Sequence, residues 1–132
     1  MFHGSRIAEF FEPTLTVEEG RATVEQPVAE RMFHPANAAH GAVYFYALDN
    51  AAFFAVNSLV EDVFVLTTQL DVHLTRPVSS GTTYAVGEVV NEHPNQYLAE
   101  AVLTDDDGVQ LGRALGTFVP SSIELTPELG YE

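Results

Sequence analysis

The hydrophobic pattern of the chain changes from strands to one helix and then back to strands. Residues 14–17 and 21–28 have the composition of two short strands around a turn at Glu19-Gly20. Residues 41–59 are rich in Ala, Leu and Phe and contain no Gly or Pro after the first position. This pattern predicts a helix of about five turns that is apolar around most of its circumference and is therefore buried.

A period of two residues follows the helix. The segment 64–75 alternates apolar with polar positions, which indicates a long half-buried strand that Pro77 ends. Further strands are predicted at 82–91, 97–104 and 109–119. The last two of these flank an Asp-Gly hairpin signal at 105–108.

Small residues on the predicted strands indicate close packing against the sheet. Gly87 predicts either a bulge or a point where another backbone comes close. Gly112, Ala114 and Gly116 share one face of the last strand, so we expect another element to lie against that face.

The order of the elements predicts an α+β fold with a single domain over residues 1–132. Short turns favour antiparallel pairing, and one apolar helix needs a sheet face to cover it. We therefore expect a curved antiparallel sheet wrapped around one long central helix. Residues 1–13 are interpreted as a lead-in with a short helical or irregular segment at 5–11, 29–39 as a loop, and 121–132 as an acidic tail.

Composition narrows the classes of function. The chain has nineteen acidic residues against five basic ones, a net charge of −14, and neither lysine nor cysteine. Such a charge repels nucleic acid and anionic membranes, so we expect neither as a partner. Without cysteine there is no disulfide, no thiolate metal site and no cysteine nucleophile.

The N-terminal residues do not resemble a signal peptide, and no stretch has the roughly 18 apolar residues of a membrane span. A cytoplasmic location is therefore expected.

The acidity has two interpretations. A lysine-free, acid-rich surface suits a protein exposed to molar salt, because counter-ions screen the repulsion between carboxylates. The alternative is an ordinary acidic domain in which arginine has replaced lysine. The dependence of stability on KCl distinguishes the two.

Asp49 is the most informative polar residue. It lies near the middle of the apolar helix, with Phe45, Tyr46 and Phe53 three or four positions away. A carboxylate that loses hydration there has a raised pKa and is prepared to act as a base. The alternative is a solvated flank of the helix, which Tyr46, Asn50 and Asn57 also suggest.

His40-Gly41 stands at the predicted start of the helix. A helix N-terminus presents unbonded N–H groups and partial positive charge, and a glycine lets a substrate carbonyl come close. Alternatively, Gly41 only marks the start of the helix. For His40, a hydrogen bond to the incoming loop is favoured over a catalytic role. Asp49 lies roughly 12 Å along the helix from Gly41 at 1.5 Å per residue. Both can act on one carbonyl only if two helices lie antiparallel across the two-fold axis of a dimer.

Three motifs in the segment 34–81 resemble the hotdog-fold acyl-CoA thioesterases of the phenylacetate-degradation type, and a weaker similarity runs from about residue 15 to residue 119. They are His40-Gly41, Leu48-Asp49, and Arg76-Pro77-Val78 followed by Gly81. The resemblance implies a homodimer or a dimer of dimers. It also implies that Asp49 is the nucleophile or general base, and that the amide of Gly41, and that of Ala42, stabilise the oxyanion.

This sequence departs from that family at two positions. Ala42 replaces a second glycine, and His34 stands where the family often has an asparagine that helps to place water or thioester. Either His34 or Asn37 is expected to take over that role. Thr67 and Thr68 match a threonine-rich position that faces the family's site.

The remaining expectations concern the substrate and the alternatives. Phe45, Phe53 and Phe54 are expected to line an acyl tunnel, and Arg76 to pair with an acid or to meet a coenzyme A phosphate. His73 and Asp71 lack a third ligand for zinc, so neither a metal nor another cofactor is expected. A hotdog hydratase or dehydratase of acyl thioesters and a non-catalytic acyl-CoA-binding module remain as rival functions.

Overall fold

The computed structural model describes residues 6–60, 63–93 and 95–124. Its helices are α1 (Arg6–Phe11) and α2 (Gly41–Asn57), with a 3₁₀ turn at Glu30–Met32 between them. Its strands are β1 (Thr14–Glu18), β2 (Arg21–Pro27), β3 (Val63–Leu74), β4 (Thr82–His93), β5 (Gln96–Thr104) and β6 (Gln110–Glu124). The predicted order of two strands, one long helix and four strands is confirmed.

The six strands form one sheet in the order β1-β2-β4-β5-β6-β3, and every neighbouring pair is antiparallel. The two strands before α2 therefore form one end of the sheet, where β2 pairs with β4, and β3 crosses over to the other end to pair with β6. β1 and β3 are the two edge strands. Helix α2 packs across one face of the sheet, which is the predicted α+β architecture.

Gly87 allows the backbone of helix α2 to pack directly against strand β4. A methyl group at this position of β4 would overlap the carbonyl of Ala51 and the nitrogen of Ala52 in α2. Gly87 is therefore a point of close backbone approach, and the register shift of β4 lies further on, between Val89 and Asn91. At Gly112 of β6, a Cβ would lie 3.1 Å from the His73 carbonyl of β3 and 3.5 Å from Cδ1 of Leu48 in α2. Small strand residues thus set the distance between helix and sheet.

Helix α2 ends at Asn57, two residues before the predicted end. The hydroxyl of Ser58 donates to the Ala55 carbonyl at 2.6 Å and accepts the Gly20 N–H at 2.7 Å. Leu59 and Val60 then donate to carbonyls only three residues back, which tightens the chain out of the α-helix. This polar link also fixes the β1–β2 turn against the end of the helix.

The C-terminal strand is longer than predicted. β6 continues through Pro120 to Glu124, four residues into the segment interpreted as a tail, because β3 pairs with it as far as Val63 opposite Glu124. Pro120 lies opposite Val65, next to the register shift between Val63 and Val65, where a missing N–H is tolerated. The rest of the predicted tail, 125–132, lies outside the described residues.

Candidate active site

Asp49 is half-buried on a surface of α2 that the chain's own sheet leaves uncovered. The Thr67 hydroxyl of β3 donates to its Oδ1 at 3.1 Å. Burial raises the pKa of the Asp49 carboxyl above its ordinary value, and the bond from Thr67 acts in the opposite direction. Of the residues that suggested a solvated flank, Tyr46 and Asn57 are buried and Asn50 is half-buried, so this flank of the helix is not fully solvated.

His40 caps the start of α2. Its Nδ1 accepts the backbone N–H of Ala42 at 3.0 Å, and its carbonyl accepts the N–H of Val43. The amide of Ala42, an expected oxyanion donor, is thus already engaged. Among the described residues no acceptor is bonded to the Gly41 N–H, so this amide can receive a ligand.

A surface cavity of about 300 Å³ opens at this helix start. It is lined by His34, Ala39, Gly41, Tyr44, Leu74, Thr75, Arg76 and Pro77. Gly41 adopts no left-handed backbone, so its missing side chain matters for space instead, and a Cβ there would meet Leu74 Cδ1 at 3.4 Å. The cavity combines the partial positive charge of a helix N-terminus with a guanidinium group, which suits a polarised carbonyl and an anion.

His34 reaches this cavity and Asn37 does not. His34 Nδ1 accepts the Ala36 N–H at 3.1 Å, so the proton of its neutral ring lies on Nε2. Asn37 is exposed in a left-handed turn and lines a separate cavity, which His34 also borders. Of the two residues expected to supply a polar group, only His34 lines the cavity that contains Gly41, and Nε2–H is the donor of its neutral ring.

The two candidate threonines point in different directions. Only Thr67 reaches Asp49, whereas the Thr68 hydroxyl donates to the Thr117 carbonyl of β6 at 3.2 Å. Neighbouring residues of a strand face opposite sides of the sheet, so only one of them can face the helix.

The three phenylalanines expected to line an acyl tunnel also differ. Phe45 is 46% exposed on the same side of α2 as Asp49, and Phe53 is half-buried. Phe54 belongs to the core and is only 8% exposed, in edge-to-face contact with Phe53. Phe45 and Phe53 are therefore available to an apolar ligand, and Phe54 supports Phe53 from within the core.

Arg76 is exposed at the rim of the cavity and forms no ion pair with the described residues. Arg21 and Arg31, in contrast, pair with Glu88 and Glu12, each at 3.4 Å. In so acidic a protein, an arginine without a carboxylate partner is a candidate site for an external anion.

The structure does not bring Asp49 to Gly41 within one chain. Asp49 does not line the cavity at the helix start, and eight residues of helix, roughly 12 Å, separate the two. The uncovered side of α2 runs from Ala42 through Phe45 to Asp49. Each chain therefore carries two halves of a possible site at different places along one helix.

Sequence reasoning missed Tyr44 and Leu74 as cavity residues. The Tyr44 hydroxyl donates to the Arg76 carbonyl at 2.6 Å. In the sequence, Tyr44 is one more aromatic residue of an apolar helix, and its hydroxyl was the only signal. Leu74 is 49% exposed at the end of β3, where a strand pattern does not show that the helix start lies nearby.

Residues 6–60, 63–93 and 95–124 contain neither a cluster of metal ligands nor a helix able to span a membrane. No group of three or more His, Asp or Glu residues there is arranged to hold a metal ion. Neither helix in this part of the chain has the length and apolar character needed to cross a bilayer.

Comparison with known proteins identifies the family of the chain. A family model described as the thioesterase superfamily matches residues 36–111. A protein of Saccharolobus solfataricus, whose name assigns it a provisional esterase activity, is 24% identical over 79% of this chain and 74% of its own length.

Solved structures share the fold at low sequence identity. The PaaI protein of Escherichia coli, from the phenylacetic acid degradation operon, superposes with a TM-score of 0.87 at 18% identity, over 96% of this chain and 91% of that one. A mutant thioesterase of Pseudomonas aeruginosa superposes with a TM-score of 0.82 at 17% identity, over 93% and 89%. The predicted hotdog fold is confirmed.

Proposed function

The chain belongs to the thioesterase superfamily, and from that premise we propose that it hydrolyses acyl-CoA thioesters to a free acid and coenzyme A. The observation that carries the proposal is the half-buried Asp49, bonded by Thr67 and placed on an uncovered, largely apolar side of α2. An acyl chain fits an apolar surface, and a carboxylate with a raised pKa is suited to accept a proton near neutral pH.

The second half of the proposed site is the cavity at the helix start. The thioester carbonyl oxygen accepts the Gly41 N–H and the Nε2–H of His34, both available in the geometry described above. These donors, with the partial positive charge of the helix terminus, stabilise the negative charge that develops on the oxygen. The Ala42 amide is left out, because His40 already occupies it.

The chemistry needs both halves on one thioester. Asp49 takes a proton from water, whose oxygen attacks the carbonyl carbon, or attacks that carbon itself. Collapse of the tetrahedral intermediate breaks the C–S bond and releases the coenzyme A thiolate, which is then protonated; after direct attack, water hydrolyses the resulting anhydride. Because about 12 Å separates Asp49 from Gly41 along one helix, the site pairs Asp49 of one subunit with Gly41 of the partner subunit.

The rival hydratase function needs a histidine that can act as a base at the site. In both His34 and His40, Nδ1 already accepts a backbone N–H, so the neutral ring has its other nitrogen protonated. Neither ring has a free lone pair for the substrate. This arrangement favours hydrolysis, with histidine as a donor.

The test is thiol release from CoA thioesters of varied chain length and aromaticity, at low and at molar KCl. We expect Asp49→Asn to lower kcat by about 100-fold or more, as for loss of a general base, while Asp71→Asn, an exposed aspartate of β3, stays close to wild type. Full activity of Asp49→Asn would refute the mechanism. Saturable CoA binding without hydrolysis would identify a binding module, and hydration of enoyl-CoA without thiol release would identify a hydratase.

A second experiment tests the shared site. Inactive Asp49→Asn and Gly41→Val chains are unfolded, mixed and refolded together. If each site uses both chains, every mixed dimer has one intact site, and the mixture recovers about a quarter of wild-type activity for random pairing. A site contained within one chain would recover none.

A further inference from the structure

Tyr44 connects the first turn of α2 to the segment that follows β3. Its hydroxyl donates to the Arg76 carbonyl at 2.6 Å. Burial raises the pKa of this hydroxyl, while a backbone hydrogen bond with Val78 acts in the opposite direction. Tyr44 thus contacts the backbone on both sides of Pro77, at Arg76 and at Val78.

The segment bonded in this way has little regular structure of its own. Residues 75–81 lie between β3 and β4, and Pro77 has no N–H to donate. On the side towards β6, the N–H groups of Thr75 and Arg76 both donate to the Leu111 carbonyl, at 2.8 and 3.3 Å. The Arg76 backbone is thus bonded to β6 through its N–H and to α2 through its carbonyl.

The Arg76 side chain has the character of an anion ligand. It lines the cavity that contains Gly41 and Tyr44, and no described carboxylate pairs with it. The protein has a net charge of −14, so an anionic substrate is repelled by most of its surface. An unpaired guanidinium beside a helix N-terminus provides a local attraction, and guanidinium binds phosphate with two parallel hydrogen bonds.

We propose that Tyr44 is a positioning residue that fixes Arg76 for binding the phosphate groups of the coenzyme A half of the substrate. This inference rests on the proposed function, because it assigns the leaving group of that reaction to the Arg76 side of the cavity. Tyr44 acts on the binding of the nucleotide half and not on the bond that breaks. Its removal therefore raises KM for substrates with phosphates and leaves kcat unchanged.

The test compares one acyl group on two thiols. Acyl-CoA has phosphates, whereas the same acyl group on N-acetylcysteamine has none. For Tyr44→Phe we expect KM for acyl-CoA to rise about fivefold, which corresponds to about one hydrogen bond, with kcat within about twofold and both constants for the short thioester unchanged. Arg76→Ala should raise KM for acyl-CoA by about tenfold or more.

A double substitution and two controls sharpen the result. Adding Tyr44→Phe to Arg76→Ala should have no further effect on KM, because the two residues act through one contact. Arg113→Ala removes another exposed arginine without an ion pair to the described residues, and Tyr97→Phe removes another phenol; neither should change KM. An equal loss with both thioesters, or a loss confined to kcat, would overturn the positioning role.

Calorimetry with adenosine 3′,5′-bisphosphate gives a readout that does not need hydrolysis. We expect Arg76→Ala and Tyr44→Phe to weaken its binding by factors similar to their effects on KM. If wild type hydrolyses no CoA thioester but binding weakens in both variants, the proposed function fails and the Tyr44–Arg76 inference stands. If neither variant changes binding, the inference is wrong whatever the enzyme hydrolyses.

Discussion

The Thr67 hydroxyl donates to Oδ1 of Asp49 at 3.1 Å, which joins edge strand β3 to the middle of the central helix. The bond favours the charged carboxylate, while burial disfavours it, and burial has the larger effect on the pKa of Asp49. Thr67 occupies one carboxylate oxygen, and in the proposed mechanism Oδ2 acts on water or on the carbonyl. The pair thus combines a fixed orientation with a raised proton affinity.

Loss of the Thr67 hydroxyl should move the pH dependence of the reaction. In Thr67→Val nothing offsets the effect of burial, so the pKa of Asp49 rises further and the base form appears only at higher pH. The acidic limb of the profile of kcat/KM against pH should shift upwards, while Thr67→Ser, which keeps the hydroxyl, should retain the wild-type limb. An unchanged limb in Thr67→Val would show that Asp49 does not set it.

Asp49→Asn should make the protein more stable at neutral pH. A folded-state pKa above the unfolded value means that the folded protein binds the proton more tightly, so wild-type stability falls as pH rises through these values. Asparagine does not ionise, so the Asp49→Asn variant does not lose stability in this way as pH rises. Urea unfolding at several pH values should show the Asn variant gaining relative to wild type above the pKa of Asp49, with no such gain in strongly acidic buffer. A variant less stable than wild type at neutral pH would contradict this.

Gly41→Ala should separate a role in activity from a role in folding. The backbone of Gly41 is not left-handed, and the new Cβ would meet Leu74 Cδ1 at 3.4 Å, an ordinary contact. Thermal stability should stay close to wild type, whereas kcat/KM should fall by about 100-fold, as for displacement of a bound carbonyl by about 1 Å. If Gly41→Ala were as active as wild type, Gly41 would serve only to begin the helix.

Gly87→Ala should destabilise the fold strongly. The added methyl overlaps backbone atoms of Ala51 and Ala52, which cannot turn aside as a side chain does, so we expect a loss of about 3 kcal/mol in the free energy of unfolding. Gly108→Ala is the matched control. Its glycine has φ +80° but nothing within 4 Å of a Cβ, so only about 1 kcal/mol of backbone strain is expected. Similar losses for both variants would show that helix and sheet are not in backbone contact.

KCl should stabilise the protein if its acidity is an adaptation to salt. Nineteen acidic residues face five arginines, and added salt screens the repulsion between the carboxylates. The thermal midpoint should rise continuously from low to molar KCl, and NaCl serves as a control for the identity of the cation. A midpoint that does not change over this range would favour an ordinary acidic domain.

The local pattern of apolar and polar residues was sufficient to predict most helices and strands, but not the order of the strands in the sheet. Alternation of side chains gave the strands, and the apolar run gave α2, because both reflect which face is buried. The crossover that places β3 beside β6 is set by contacts far apart in the sequence. Short turns suggested neighbouring strands after the helix, yet the connection between β3 and β4 does not join neighbours, since β5 and β6 lie between them in the sheet.

The candidate site also has some residues that the local sequence indicates and others that only the tertiary structure reveals. Asp49 could be selected as a candidate because a carboxylate in an apolar helix is conspicuous, and Gly41 because it stands at the helix start. Which of two adjacent threonines meets Asp49 depends on the register of β3, and the engagement of the Ala42 amide by His40 depends on ring orientation. Tyr44 could not be distinguished from a core aromatic residue, because its hydroxyl acts on a segment 32 residues away.

For the proposed acyl-CoA substrate, the contact at Gly87 limits where a longer acyl chain can be accommodated. Because the backbones of α2 and β4 touch there, an acyl chain cannot pass between the helix and its own sheet at that level. In the proposed site, room for a larger acyl group comes from the outer side of the helix, where Phe45 and Phe53 lie. Acyl preference can then diverge through these two side chains while the core stays unchanged, so that new substrates are reached with little loss of stability.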